Sequence, residues 1–188
     1  YLLVENRKVE NYVDMALYYA RMDAVYKDYM IAETNLQEVA QQVLLQNKYY
    51  LIQSHVKAEV ACPDTVYSDK KWIAFILNQL IQNSVKYGRS EGTHIQIVTK
   101  KTKSGVLLRV KDDGIGIPKE ELPRIFEKGF TGTNGRNRER STGMGLYLCR
   151  KLCDKLNIEI RAESAEGKGT EIILMFPVSD YLTGYRET

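Results

Sequence analysis

The sequence predicts an α+β fold, a two-layer α/β sandwich whose mixed, mostly antiparallel sheet carries helices on one face, preceded by a long N-terminal helix. Three observations lead there. Apolar residues recur every three or four positions in several separate segments. Two other stretches alternate apolar and polar residues around glycine-containing turns. Finally, 44% of the 188 residues are hydrophobic, enough for one substantial core.

Taken in order, Leu2, Val9, Val13, Ala16, Ala20 and Ala24 mark an apolar stripe on a helix over residues 2–25. Its small alanines suit a partner helix at close range; a helix lying on the domain's own sheet is the other reading. Thr34 followed by Glu38 reads as a capping signal for a helix with Leu36, Val39, Val43 and Leu44 at helical spacing. That helix runs to about residue 53 and into a strand near "HVKAEV". "CPDTVYSD" has turn chemistry, and Ser68-Asp69 caps the helix "KKWIAFILNQLIQNSVKYG", closed by Gly88. "THIQIVTKKTKSGVLLRVKDD" reads as a hairpin around Lys103-Ser104-Gly105. Residues 118–142 are rich in Gly, Arg, Asn and Thr, with short helical pieces such as "KEELPRIF". "GMGLYLCRKLCDKLN" is again helical, and "IEIRAESAEGKGTEIILMFPV" forms a second hairpin.

Charge and composition exclude several functions. With 27 basic against 24 acidic residues the net charge is +3, and no basic run gives the electrostatic footprint of a nucleic-acid binder. The cysteines, Cys62, Cys149 and Cys153, are odd in number and match no metal-ligand spacing, which predicts a reducing environment. No apolar run approaches the length of a membrane span, and no signal pattern opens the chain. The chain starts at Tyr1 inside a predicted helix, which predicts a portion of a longer protein.

Four polar clusters carry chemistry. Gln79, Asn83 and Lys86 share one face of their helix, where an amide oxygen can ligate a hard cation and a lysine can reach an anion; taken alone, the cluster is better explained by a solvated polar face. Asp112, Asp113, Gly114 and Gly116 follow a strand, where a carboxylate can accept from an exocyclic amine and so favour adenine over guanine; an ordinary Asp-Gly turn is the alternative. In "STGMGLYL", Gly143 and Gly145 open a helix whose free amides attract phosphate. In "EGKGTEI", Gly167, Gly169 and Thr170 read first as a hairpin turn and second as a ligand contact.

The order and spacing of these clusters resemble the N, G1, F, G2 and G3 boxes of sensor histidine kinases, with "RIFEKGF" as the F box. The resemblance implies the catalytic ATP-binding domain of a two-component sensor kinase, of the fold shared with gyrase-type and mismatch-repair ATPases. It implies that Asn83 ligates Mg2+ and that Asn83 and Lys86 serve catalysis at the phosphates. Tyr87 lies against the nucleotide, Asp112 reads the adenine amine, and Gly114 and Gly116 make room for the ring. Phe126, Thr142, Gly143, Gly145, Leu146 and Thr170 complete the ATP site, and one of Arg136, Arg138 or Arg140 reaches the phosphates from a mobile lid. Hydrolases of this fold carry a glutamate where this chain has Gln79, which cannot act as a base.

The resemblance also divides the chain into residues 1–30, the second helix of a dimerisation hairpin; residues 31–180, the ATP-binding domain; and residues 181–188, a tail. The phosphoacceptor histidine is not expected here, because His55 and His94 sit in strand-like segments without the following acidic residue and proline. The implied partners are ATP, a response regulator, a second copy of the full-length protein and no nucleic acid. "ALYYARMD" and "NSVKYG" are similar to bacterial kinases that work beside peptide-antibiotic ABC transporters, which places this portion on the cytoplasmic side of the cell membrane. The alternatives are an ATPase or serine kinase of the same fold, or a nucleotide-binding interaction module without phosphotransfer.

Overall fold

The computed structural model describes residue 13, residues 29–133 and residues 142–178. Of the helix expected over residues 2–25 only Val13 is described, helical and exposed. The tail 181–188 and Arg136, Arg138 and Arg140 also lie outside the described residues.

The described elements are β1 (Ala32–Asn35), α1 (Leu36–Gln46), α2 (Lys48–Gln53), β2 (Val56–Ala61), β3 (Thr65–Ser68), α3 (Lys70–Lys86), β4 (Thr93–Thr102), β5 (Gly105–Asp112), a 3-10 turn (Leu122–Arg124), α4 (Gly145–Lys155), β6 (Glu159–Ala165) and β7 (Gly169–Pro177). Five strands form the main sheet in the order β2-β4-β5-β7-β6. Only β2 runs parallel to its neighbour; every other pair is antiparallel, giving the mixed, mostly antiparallel sheet that the hairpins predict. β1 and β3 form a separate two-stranded sheet.

Strand alternation sends Ile95 and Ile97 of β4, Leu108 and Val110 of β5, Ile172 and Leu174 of β7 and Ile160 of β6 to one face, where all are buried. The helices cover that face with matching stripes: Leu36, Val39, Ala40 and Val43 from α1, Trp72, Ile76, Leu80 and Ile81 from α3, and Leu148, Cys149, Leu152 and Cys153 from α4. Cross-strand register is what positions the site. Ile97, Val110 and Ile172 lie side by side, and one step along the same face the row reads Ile95, Asp112, Thr170 and Ser164. The core-facing row turns polar there.

Several local expectations are corrected. Asn35, not Thr34, caps α1: its Oδ1 accepts from Glu38 N–H, while the Thr34 hydroxyl, in β1, donates to the Ala32 and Ser68 carbonyls. Asn35 and Glu38 stand three apart, the separation a cap requires, and Thr34 and Glu38 do not. The single helix over 36–53 breaks at Asn47, whose buried amide donates to Val43 O and to Asn78 Oδ1, both at 2.8 Å. Half of the expected turn "CPDTVYSD" is strand β3, because pairing with β1 supplies its backbone partners. Asp69 caps α3 as expected, accepting from Lys71 and Trp72 N–H groups. Gly88 follows α3 without a left-handed φ; a Cβ there would collide with the Thr93 hydroxyl, so space dictates the glycine. His55 sits in a turn at φ 53° rather than in a strand.

The three thiols are free and buried, as small core residues. Burial pushes Cys62 up to about 11 and Cys153 up to about 12, and Cys149 well above its ordinary range.

Candidate functional site

One end of the helix-covered face opens into a cavity. Leu80, Asn83, Ser84 and Tyr87 reach it from α3 and its C-cap, at offsets of three and four that define one helix face. Asp112 ends β5, and Gly116, Ile117 and Pro118 follow in the next loop. Glu121, Ile125, Phe130, Thr131 and Gly132 form the outer wall, Leu146 projects from the first turn of α4, and Thr170 and Ile172 come from β7. The walls are mainly apolar, with the polar groups gathered at the end of the core-facing row.

Asp112 is 8% exposed. Its Oδ1 accepts from the Gly114 and Thr170 N–H groups at 3.0 and 3.1 Å, and its Oδ2 accepts from the Ser84 hydroxyl at 2.8 Å. Burial raises its pKa, the three donors oppose that rise, and the charge of Asp113 adds to it. Oδ2 keeps acceptor capacity beyond the Ser84 bond, and the carboxylate forms part of the cavity wall. Asp113 is a turn residue whose Oδ1 accepts from His94 N–H.

The structure therefore gathers six of the sequence-predicted site residues on one cavity: Asn83, Tyr87, Asp112, Gly116, Leu146 and Thr170. Six others stand off its walls. Lys86 is half-buried with its ammonium 5.6 Å over the Tyr87 ring. Phe126 packs against the core, and Phe130 takes the wall position instead. Gly114 leaves room for the backbone of Tyr87, since a Cβ there would lie 2.5 Å from that carbonyl oxygen. At Gly116, φ is 72° and a Cβ would overlap the Ala165 carbonyl, so both glycines admit neighbouring chain before any ring. Gly143 adopts φ 64° against the Gly129 backbone and accepts from Gly129 N–H at 3.0 Å, while Thr142 Oγ1 accepts from Met144 N–H. Gly145 begins α4, where a Cβ would press on the buried Gln79 amide. Among the described residues no side chain caps the first turn of α4, and free amides at a helix start suit an anion.

Sequence reasoning missed Ser84 and Glu121, and it singled out Phe130 only together with Phe126, within the "RIFEKGF" box. Ser84 was legible through its offset of four from Leu80 and three from Tyr87. Glu121 carries no sequence signal: its carboxylate meets Thr133 N and Oγ1 at 2.8 and 2.5 Å only because the chain folds back after Phe130. Among the described residues no cluster of three or more His, Cys, Asp or Glu could hold a metal. A divalent cation would then take oxygen from Asn83 and most of its shell from a ligand and water, the usual arrangement for magnesium on phosphates.

Residues 68–180 match the family described as histidine kinase-, DNA gyrase B-, and HSP90-like ATPase. The chain is 34% identical over 174 residues to the sensor histidine kinase YxdK of Bacillus subtilis (strain 168), spanning 92% of this chain and 54% of that protein. It is 36% identical over 184 residues to the sensor protein kinase GraS of Staphylococcus aureus (strain JH1), spanning 95% and 52%. It thus covers about half the length of these relatives. The catalytic domain of the histidine kinase ThkA, in a nucleotide-free form, superposes with a TM-score of 0.67 at 26% identity, over 79% of this chain and 97% of that one. Full-length ShkA, in complex with AMPPNP, shares the fold with a TM-score of 0.75 at 20% identity, over 94% and 38%.

Proposed function

Because the chain belongs to the histidine kinase-, DNA gyrase B-, and HSP90-like ATPase family, we propose that it is the ATP-binding catalytic portion of a bacterial sensor histidine kinase. One observation carries this reading: a buried carboxylate with spare acceptor capacity, Asp112, closes an apolar cavity whose other side is the uncapped first turn of α4. The apolar walls take the faces of a purine, Asp112 accepts from its amino group, and the α4 amides receive phosphate oxygens. A magnesium ion carried with the phosphates would neutralise charge during transfer, with Asn83 as its protein ligand. Lys86, one turn beyond Asn83, adds positive charge beside the phosphates.

The acceptor of the phosphoryl group is a histidine outside this sequence, and the phosphate passes on to an aspartate of a response regulator. ThkA is described in complex with the response regulator TrrA, which supports that partner class. Residues 1–30 contribute to a dimerisation helix, residues 31–180 form the catalytic domain and 181–188 the tail. The parent is a homodimer at the cell membrane with this part in the cytoplasm, and an ABC transporter is its proposed companion. Among the described residues no helix is long and apolar enough to cross a membrane. Gln79 disfavours the hydrolase alternative, since an amide lacks a base and this one is packed against the start of α4.

The test is calorimetric titration of the chain with a non-hydrolysable ATP analogue, with and without magnesium, beside Asn83→Ala. Binding strengthened by magnesium in the wild type and insensitive to it in the variant is expected; absence of binding in the wild type would refute the reading.

A further inference from the structure

The hydrogen positions around Asp112 are determined by their acceptors. Ser84 Oγ meets Oδ2 of the carboxylate at 2.8 Å and must donate, since an ionised carboxylate only accepts. Beside Thr170 in the sheet, Ser164 Oγ accepts from Ile117 N–H at 2.9 Å and donates to the Gly169 carbonyl at 2.7 Å. Its one proton is engaged there, so in its 3.0 Å contact with Thr170 Oγ1 the threonine donates. Ser84 and Thr170, two of the hydroxyl-bearing residues on the cavity wall, thereby spend their protons on Asp112 and Ser164 and have only lone pairs left for a ligand.

We infer that Ser84 is a positioning and specificity residue, holding the Asp112 carboxylate as an acceptor so that Asp112, Ser84 and Thr170 together select a ligand bearing an amino group over one bearing a keto oxygen. The inference rests on the reading of the cavity as a purine site. Adenine presents an amine at the six position, and hypoxanthine presents a keto oxygen there with little other change. Facing three acceptors, the keto oxygen loses its water partners and gains none.

Ser84 also governs pH dependence. Burial disfavours the charged carboxylate, and Ser84 is the first of the three donors that oppose this. Among the described residues, Asp113 on the same loop and Tyr87 and Glu121 on the cavity wall are the other titratable groups around it. Once protonated, Asp112 can donate to a keto oxygen. Loss of Ser84 therefore weakens binding of the amine and relaxes discrimination, more so as pH falls.

The test measures affinity of the 188-residue chain for ADP and for inosine diphosphate by calorimetry between about pH 5 and about pH 8. Ser84→Ala and Ser84→Cys are compared with the wild type; cysteine fills the volume but donates poorly, and it carries the test if the alanine variant does not fold. The expected result is ADP binding about tenfold weaker in both variants. The ADP preference should narrow, and the acid midpoint for loss of ADP binding should move to higher pH. Variants with the wild-type preference and midpoint would overturn the inference, as would a wild type that binds both nucleotides equally. A wild type that binds neither would instead remove the functional reading, and this inference with it.

Discussion

Asp112 concentrates the chemistry of the site in one carboxylate, and its environment gives two effects of pH with opposite sign. Its pKa is raised in the folded state, chiefly by burial, so the folded chain holds a proton that the unfolded chain has already released. Stability from this group is therefore greatest at low pH and is lost as pH rises through the unfolded and then the folded pKa. In the proposed site nucleotide binding would use the ionised form and be lost as pH falls through the folded pKa. Denaturation of wild type and Asp112→Asn across acid pH should show the wild type gaining stability relative to the variant on acidification, while ADP titrations of the wild type weaken over that window. A stability difference that does not change with pH would count against the assignment. The residue-scale chemistry was partly legible. Asp112 stands at a strand end before glycines, a pattern that by itself suits an ordinary turn, and it was singled out by the order and spacing of the four clusters together. Glu121 was not, because its place in the wall depends on how the chain returns after the 3-10 turn.

At the scale of elements, capping and close approach set the energetics. Asp69 accepts from Lys71 and Trp72 of α3 and also from Met30 N–H at 2.9 Å, so one buried carboxylate joins α3 to the lead of β1. Asp69→Ala should cost about 2 kcal/mol or more, against about 1 kcal/mol for Asn35→Ala at the exposed cap of α1, in urea unfolding. Two glycines near φ 72° separate conformation from contact. Gly167 has open space around it, and Gly167→Ala should cost about 1–2 kcal/mol for the left-handed backbone alone. Gly116→Ala meets the Ala165 carbonyl as well and should cost about 1–3 kcal/mol beyond that. Equal losses would mean the loop adjusts freely. Helices α1, α3 and α4 and both hairpins were legible because their periodicity reflects burial on the sheet. Strand β3 was not: its four residues are strand only by virtue of β1, thirty or more positions earlier.

For the whole molecule, the sandwich followed from periodicity, but the parallel placement of β2 beside β4 did not, since no local signal records which strand lies at the edge. Placing the two histidines in space bears on function. His94 is in β4 with its Nε2 3.2 Å from Glu59 Oε1, and His55 is fixed in a turn. Neither lies on a helix, and incubation of the chain with Mg-ATP should yield no acid-labile phosphohistidine at either position by mass spectrometry. The central claim is that the cavity at Asp112 is an adenine-nucleotide site. The most direct measurement is titration of wild type and Asp112→Asn with non-hydrolysable ATP and GTP analogues. Adenine-selective binding that falls about 10- to 100-fold in the variant is expected. Equal affinity for the two analogues, or a variant that binds as the wild type does, would contradict it.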